Sequence, residues 1–272
     1  MTRFRIGGAG LLLVLIWALS LPAKLSAAHN MVWDIDLVPV VARGLEFYAG
    51  GPFPAYGTLS SVAAFNMPML IWLHLPVLAL VRDPFWAMLL TLLAFNALAT
   101  WAIYRLGREL FSVPVGLAAA LLFTFGETGI SSSYTAWAQL LLPGFFALLL
   151  LSLWRWRQGW SWGLAWAGIL ATAAFMTHFS AVLLYPLLLG FALLARPRWA
   201  LRPLIVGALV CGLLLAPYLI FQAGRDFADL RAFITRDTLV DADVMARYQP
   251  GARPAAPHAD APAPSADAPP TN

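Results

Sequence analysis

Long runs of apolar residues recur along this chain and constrain its fold more than any other feature. A run of about 18–20 such residues is long enough to cross a ~30 Å hydrocarbon layer as a helix. The composition agrees, since 61% of the residues are hydrophobic and only 11% are charged. The pattern predicts an all-α polytopic membrane protein with about seven transmembrane helices. The candidate spans are residues 6–28, 85–104, 113–130, 136–153, 160–177, 179–195 and 203–222.

A further apolar stretch, residues 67–81, decides the orientation of everything after it. It is short for a span and contains His74 and two prolines. If it does not cross, the basic clusters share the side of the N-terminus, as the positive-inside rule requires. These clusters are Arg3/Arg5, Arg105/Arg108, Arg155/Arg157 and Arg196/Arg198/Arg202. We therefore expect a surface helix over 67–81 within an external first loop of surface helices at 29–84. The N-terminus is then inside and the C-terminus outside.

The first apolar segment has two interpretations. Arg3 and Arg5, the apolar run and the small residues near 23–28 resemble a secretory signal peptide. The run is long for a signal peptide, which favours an uncleaved anchor. Under either interpretation, residues 30–84 end up outside.

The C-terminal part of the chain differs in composition from the membrane domain predicted over 1–225. Residues 226–248 mix charged and apolar positions, as in an external amphipathic stretch. Residues 249–272 are rich in Pro, Ala and Asp and predict a disordered tail. The single cysteine, Cys211, excludes an intrachain disulfide. The absence of a basic stripe with interleaved aromatics argues against nucleic-acid binding.

Two aspartates, Asp34 and Asp36, follow the first span, and ionisable groups are scarce in this chain. Asp36 is well placed to cap a helix over 37–49, with Pro39 in its first turn. The pair alone would hold a divalent ion only weakly, so we predict no metal site and leave a metal requirement open. The other polar candidates on the outer face are Arg43, Glu46, Arg82, Asp83, Glu127, Gln139 and His178.

The order of sequence features resembles the N-terminal half of a bacterial GT-C type membrane glycosyltransferase, over about residues 6–225. Relatives of this type include the protein mannosyltransferases and the aminoarabinose transferase that modifies lipid A. The features are WDIDLVPVVARGLEFYAGG at 33–51, PFPAYGTLSS at 52–61, FNMPMLIWLHLPVLALVRDP at 65–84, YRLGRELF at 104–111, SSSYTAWAQLLLP at 131–143, FMTHFSAVLLYP at 175–186 and LAPYLIFQ at 215–222.

The resemblance implies sugar transfer from a polyprenyl-phosphate carrier, which is a substrate rather than a cofactor. It makes Asp34 the base or the carboxylate that orients the acceptor hydroxyl, with Asp36 as its backup. It makes Arg43, Arg82 and His178 candidates for the donor phosphate. Each has a structural alternative: a headgroup-binding arginine for Arg43, a turn ion pair with Asp83 for Arg82, and a hydrogen-bonded turn for His178.

The chain departs from the family pattern in three places. The second aspartate often found at the start of the fourth span is missing, and Tyr134 to Gln139 stand there instead. Glu127, at the outer end of the third span, and Gln139 are candidates for the substrate site. The alternative for Glu127 is a carboxylate at the membrane interface, close enough to water to stay ionised. A basic residue before Pro68 is also missing. Enzymes of this type continue for several more spans, which suggests a truncated or degenerate member.

These observations predict a polyprenyl-phosphate-sugar-dependent, inverting glycosyltransferase at the outer face of the bacterial cytoplasmic membrane. Its expected partners are membrane lipids, the donor and an unidentified glycan, lipid or protein acceptor. A non-catalytic membrane scaffold or lipid-binding subunit derived from such an enzyme is the alternative. A secondary transporter fits less well, because the span centres lack charges and no half-to-half repeat is visible.

Overall fold

The computed structural model describes residues 8–31, 37–58, 64–135, 137–195 and 199–235. Regular structure in these ranges is helical, and no strand occurs in them. The α-helices are α1 (Gly8–Ala28), α2 (Leu37–Tyr48), α3 (Met69–Leu80), α4 (Pro84–Leu110), α5 (Val113–Phe125), α6 (Glu127–Ser131), α7 (Leu142–Arg157), α8 (Gly163–Thr177), α9 (Leu184–Ala195), α10 (Leu201–Ala223) and α11 (Ala228–Thr235). Two 3-10 helices, Ala138–Leu141 and Phe179–Leu183, lead directly into α7 and α9.

Every predicted span corresponds to a helical segment, and the predicted fold class, an all-α polytopic membrane protein, is confirmed. Within the described residues, four helices are long and apolar enough to cross a membrane: α1, α4, the segment Ala138–Arg157 and α10. The apolar helices at 113–125, 163–177 and 179–195 are shorter. The number of crossings therefore stays a prediction. The outer faces of α1 and α10 carry strongly exposed leucines, which suit contact with lipid.

The surface helices of the first loop also form where the sequence predicts them. α2 matches the helix expected over 37–49, and α3 occupies most of 67–81. At 12 residues, α3 has a length of about 18 Å and belongs with the shorter apolar helices, so its place at the membrane surface stays a prediction. α2 packs on α3, and α3 packs on α4, so the loop is fixed on the helical bundle.

A salt bridge defines one end of the bundle, here called the arginine end. Glu109 near the end of α4 accepts from Arg105 at 2.7 Å and from the Nε of Arg155, near the end of α7, at 3.0 Å. Two of the predicted basic clusters therefore lie on the same side of the bundle. The opposite end, here called the loop end, is where α4 begins and where α8 and α10 finish.

The largest core lies at the loop end. It joins α2 and α3 to the first turns of α4 and α7 and to the last turns of α8. Its most deeply buried members include Leu37, Ile71, Met88, Leu89, Leu92, Ala174 and Met176. This core holds the first loop in a fixed place on the helices, so functional groups on that loop have a rigid base.

A buried polar cluster joins α1, α4 and α6. Lys24 is fully buried and donates to the side-chain oxygen of Asn96, with the ring of Trp17 5.9 Å from its ammonium. The amide nitrogen of Asn96 donates to Gly129 O at 2.7 Å and to Ser132 Oγ at 2.9 Å. Both ends of the Asn96 amide are therefore satisfied, as a buried amide requires.

Candidate functional site

The two aspartates predicted to carry the chemistry, Asp34 and Asp36, lie outside the described residues. The residues on either side of this segment are well anchored. Met31 and Leu37 are both buried in the core at the loop end. The two described residues that flank the predicted catalytic segment thus both lie in this core.

Arg43 lies on α2 at the loop end and is held by an aromatic ring. Its guanidinium carbon sits 3.8 Å from the centre of the Tyr56 ring, a cation–π contact. Tyr56 in turn stacks on Phe221 of α10, with ring centres 4.1 Å apart and planes 15° apart. Within the described residues, no carboxylate pairs with Arg43. A face-on ring leaves the N–H edges of the guanidinium open to a phosphate or carboxylate.

Arg225, just after α10, contacts the same aromatic group. Its guanidinium carbon is 4.8 Å from the Phe65 ring centre and 5.2 Å from that of Phe221. Unlike Arg43, it pairs with a carboxylate: Arg225 Nη1 donates to Asp229 Oδ1 at 3.0 Å. Asp229 is almost fully buried and also accepts from the backbone N–H of Phe65 at 3.1 Å.

His178 follows α8 and caps the 3-10 helix that begins at Phe179. Its Nδ1 lies 2.7 Å from Ser180 Oγ and accepts from the Ser180 backbone N–H at 3.3 Å. An Nδ1 that accepts from a backbone N–H has no proton, so the neutral ring carries its proton on Nε2. The hydrogen-bonded turn expected as one interpretation of His178 is therefore present. The same turn leaves Nε2–H able to donate to a phosphate oxygen.

The remaining predicted residues lie in the connections at the loop end. Arg82, Glu127 and Gln139 are all exposed, and no described hydrogen bond or ion pair joins them to one another or to Arg43. Asp83 does not pair with Arg82; its Oδ1 caps α4 by accepting from Trp86 N at 3.0 Å. The loop end thus collects these groups on one side of the bundle without joining them in a single contact network.

Sequence reasoning did not find the group formed by Tyr56, Phe65, Phe221, Arg225 and Asp229. Its members come from three separate stretches, and aromatic residues are too common in this chain to draw attention. The one local signal is the spacing of Arg225 and Asp229, which places an arginine and a carboxylate four residues apart. Asn96 was also missed, although an amide in the middle of an apolar run is a usable signal.

Chemically, the described part of the site is a cationic and aromatic surface. Arginine side chains and a histidine N–H stabilise an anionic leaving group without transferring a proton to it. Among the described residues, no three His, Cys, Asp or Glu side chains are arranged to hold a metal ion. Asp34 and Asp36, for which the sequence predicts no metal site, lie outside these residues.

The comparison with protein families gives a match over most of the helical bundle. A sequence profile described as dolichyl-phosphate-mannose-protein mannosyltransferase matches residues 65–221, which is more than half of the chain. Comparisons with curated proteins and with solved structures gave no match. The mannosyltransferase part of the predicted resemblance is confirmed, whereas a bacterial origin and the likeness to aminoarabinose transferases stay predictions. The chain belongs to the dolichyl-phosphate-mannose-protein mannosyltransferase family.

Proposed function

We propose that this membrane protein transfers a sugar from a polyprenyl-phosphate donor to an acceptor at the outer face of the bacterial cytoplasmic membrane. The observation that carries the proposal is the family match over residues 65–221. The matched region includes α3 to α9 and almost all of α10, which is the bundle on which the loop-end site is built. The identity of the sugar and of the acceptor is left open.

In the proposed reaction, an acceptor oxygen attacks the anomeric carbon and displaces the polyprenyl phosphate, which inverts the configuration. Asp34 removes the proton from the acceptor hydroxyl or orients it, and Asp36 is its backup. The leaving phosphate needs charge stabilisation, which Arg43, Arg82 and His178 supply. Glu127 and Gln139 offer hydrogen-bonding groups to the sugar or the acceptor from the same end of the bundle.

The geometry of Arg43 supports this assignment more strongly than that of the other cations. Its charge has no carboxylate partner among the described residues, and its ring contact fixes the guanidinium plane. A preorganised cation stabilises a leaving phosphate without the cost of reorganisation during the reaction. Arg82 is exposed, and a cation in water contributes less because the solvent screens its field.

The structure also offers a place for part of a lipid chain. An apolar crevice of about 280 Å³ lies between α8, α9 and α10. Its walls include Ala165, Gly168, Leu188, Ala192, Leu204 and Gly207. Within the proposal, such a crevice holds a segment of an isoprenoid or acyl chain by apolar contact alone.

The test is donor turnover by the purified chain in nanodiscs. Radiolabelled polyprenyl-phosphate sugars are supplied, and wild type is compared with Asp34→Asn. Loss of a general base typically costs ~10²–10⁴ in rate, so we expect turnover by the variant to fall to background. Glu46→Gln is the matched control, since it neutralises another carboxylate on the first loop and should keep wild-type turnover.

Two results would contradict the proposal. Turnover that survives Asp34→Asn would remove that residue from the chemistry. A folded, helical wild type that consumes none of the common donors would favour the alternative, a membrane scaffold or lipid-binding subunit. Arg43→Gln separates these cases further. A lipid-binding subunit would bind polyprenyl phosphate but show no turnover, and Arg43→Gln would remove that binding.

A further inference from the structure

Two arginines contact one aromatic group at the loop end. Arg43 lies over Tyr56 at 3.8 Å, Tyr56 stacks on Phe221 at 4.1 Å, and the guanidinium carbon of Arg225 lies 5.2 Å from the Phe221 ring centre. Phe65 closes the group, with its ring 4.9 Å from Tyr56 and 5.7 Å from Phe221. The group therefore connects the first loop to the last turn of α10.

The two arginines differ in whether a carboxylate of the described residues neutralises their charge. The charge of Arg225 is neutralised by Asp229, whose other oxygen accepts from Phe65 N and from Gln222 Nε2. Arg43 has only the ring of Tyr56 as a partner in the described part of the chain. Arg225 thus has a structural role, whereas the guanidinium N–H groups of Arg43 are available to bind a ligand.

The chain adopts an unfavourable backbone to bring Asp229 to this place. Asp226 and Phe227 both have left-handed conformations, with φ of 51° and 54°. Such angles cost free energy for residues other than glycine and persist where the surroundings enforce them. Here the Phe227 N–H donates to Gln222 O at 2.8 Å, which turns α11 back toward the first loop.

Among the described residues, α10 and Asp229 each make a hydrogen bond to the backbone of Phe65 in the first loop. Tyr218 Oη donates to Phe65 O at 2.9 Å, while Asp229 accepts from Phe65 N. Both backbone polar groups of Phe65 are therefore held by side chains that come more than a hundred residues later. Through the Phe65 and Phe221 rings, the same bonds fix the orientation of Tyr56.

We infer that Tyr56, Phe221 and Asp229 are positioning residues that hold Arg43 as a preorganised cation for a phosphate-bearing ligand. The ligand part of this inference rests on the proposed function. Tyr56, Arg225 and Asp229 lie outside the family-matched region, whereas Phe65 and Phe221 are its first and last residues. Asp229 acts on Arg43 indirectly. It neutralises Arg225 and fixes Phe65, whose ring contacts Tyr56, and Tyr56 in turn contacts Arg43.

The first experiment needs no ligand. Intact protein in nanodiscs is labelled with p-hydroxyphenylglyoxal, an arginine-specific reagent, and the rate at Arg43 is read by peptide mass spectrometry. We expect Tyr56→Leu and Asp229→Asn each to raise this rate several-fold. Tyr56→Leu removes the aromatic ring that contacts the Arg43 guanidinium, and Asp229→Asn weakens the contacts that hold that ring in place. Tyr56→Phe keeps the ring and should restore the wild-type rate.

Phe53→Leu is the matched control for this experiment. Phe53 is also an aromatic residue of the first loop, with ring contacts to Phe47 and Trp72 and none to Arg43. Its replacement should leave the Arg43 rate unchanged. If Tyr56→Leu alters the rate no more than Phe53→Leu does, Arg43 is not held by the stack and the inference is overturned.

The second experiment measures binding of farnesyl phosphate, a short polyprenyl monophosphate. We expect Arg43→Gln to weaken binding about tenfold, which corresponds to ~1.4 kcal/mol. Tyr56→Leu should weaken it by a smaller factor, with no further loss when it is combined with Arg43→Gln, because both changes remove the same interaction. Additive losses would mean that Tyr56 acts on its own, which contradicts a positioning role.

The two experiments test separate claims, so their negative results can be told apart. A wild type that does not bind farnesyl phosphate contradicts the proposed function and the ligand part of the inference. The labelling rates still decide whether the stack holds Arg43. Conversely, tight binding with unchanged labelling in Tyr56→Leu supports the proposed function and overturns the positioning of Arg43.

Discussion

His74 on α3 illustrates how burial selects one protonation state of a side chain. It is fully buried, and its Nδ1 lies 3.2 Å from Thr91 Oγ1 on α4. The Thr91 hydroxyl donates to Ala87 O at 2.8 Å, so Nδ1–H of His74 is the donor to Thr91. The other ring nitrogen is buried with no partner. Burial accordingly lowers the pKa of His74 from 6.5 to about 4.

This pKa predicts an acid-sensitive contact between α3 and α4. The folded pKa of about 4 lies below the unfolded value of 6.5, so the contribution of neutral His74 is complete above pH 6.5. It should be lost progressively as the pH falls from 6.5 to 4, by roughly 3 kcal/mol in all. Thermal unfolding followed by tryptophan fluorescence in detergent measures it.

His74→Gln is the comparison for that measurement, because glutamine does not titrate. The variant should be less stable than wild type at pH 7 but should lose less stability between pH 6.5 and pH 4. Parallel curves for the two proteins would show that His74 titrates normally and is not the source of the acid sensitivity.

At the scale of single residues, the sequence was enough to choose candidate side chains but not to predict which residues they contact. Arg43 and His178 could be selected as phosphate-binding candidates from the predicted orientation alone. Their contacts could not, because Tyr56, Phe221 and Ser180 are ordinary residues whose meaning depends on the fold. His178 illustrates the difference, since the turn and the ligand were weighed as alternatives, whereas the ring geometry allows both.

Among the helices, α4 and α5 approach each other closely at two glycines, Gly107 and Gly116. A Cβ added to Gly116 would lie 2.5 Å from Tyr104 O and 2.8 Å from Arg108 N, both of them backbone atoms. Gly107 faces it, with the α-carbon of Gly116 2.9 Å from its own added Cβ position. Small residues permit such contact between membrane helices, which associate by packing rather than by hydrophobicity.

Gly116→Ala should therefore force α4 and α5 apart. We expect a loss of about 1–3 kcal/mol, the usual range for overpacking, since backbone atoms cannot rotate away as a side chain does. Gly212→Ala on α10 is the matched control, because nothing lies within 4 Å of its added Cβ. Thermal unfolding of both variants makes the comparison, and equal stability of the two would show that the helices separate at little cost.

Helices were the most predictable level of the structure. Hydropathy located each apolar segment because a membrane helix must be apolar over most of its length. The same signal could not locate the short pieces: α6 and the two 3-10 helices depend on turns between neighbouring helices. It also could not predict that α11 folds back, since that turn depends on Asp229 meeting Phe65, far away along the chain.

For the whole molecule, the central question is which end of the bundle faces out. Glu109 gathers Arg105 and Arg155 at one end, and the first loop covers the other. This arrangement agrees with the predicted distribution of basic clusters, although the bundle alone does not assign either end to a side of the membrane.

Single cysteines introduced into a Cys211→Ser background would assign the sides. The positions are Phe53 and Trp137 at the loop end and Arg108 and Gln158 at the arginine end, all exposed. We expect a membrane-impermeant maleimide to label Phe53→Cys and Trp137→Cys in intact cells, and Arg108→Cys and Gln158→Cys only after permeabilisation. The reverse pattern would place the site inside and contradict the proposed outer-face reaction.

The bond between Lys24 and Asn96 has a consequence for how the protein is made. The two residues are 72 positions apart, so a ribosome working at about 5–20 residues per second completes Asn96 roughly 4–14 s after Lys24. Throughout that interval, the first helix carries an ammonium group whose acceptor does not yet exist. An isolated helix can keep such a group at the headgroup level by stretching the side chain toward water. α1 thus reaches its final depth only after the arrival of α4.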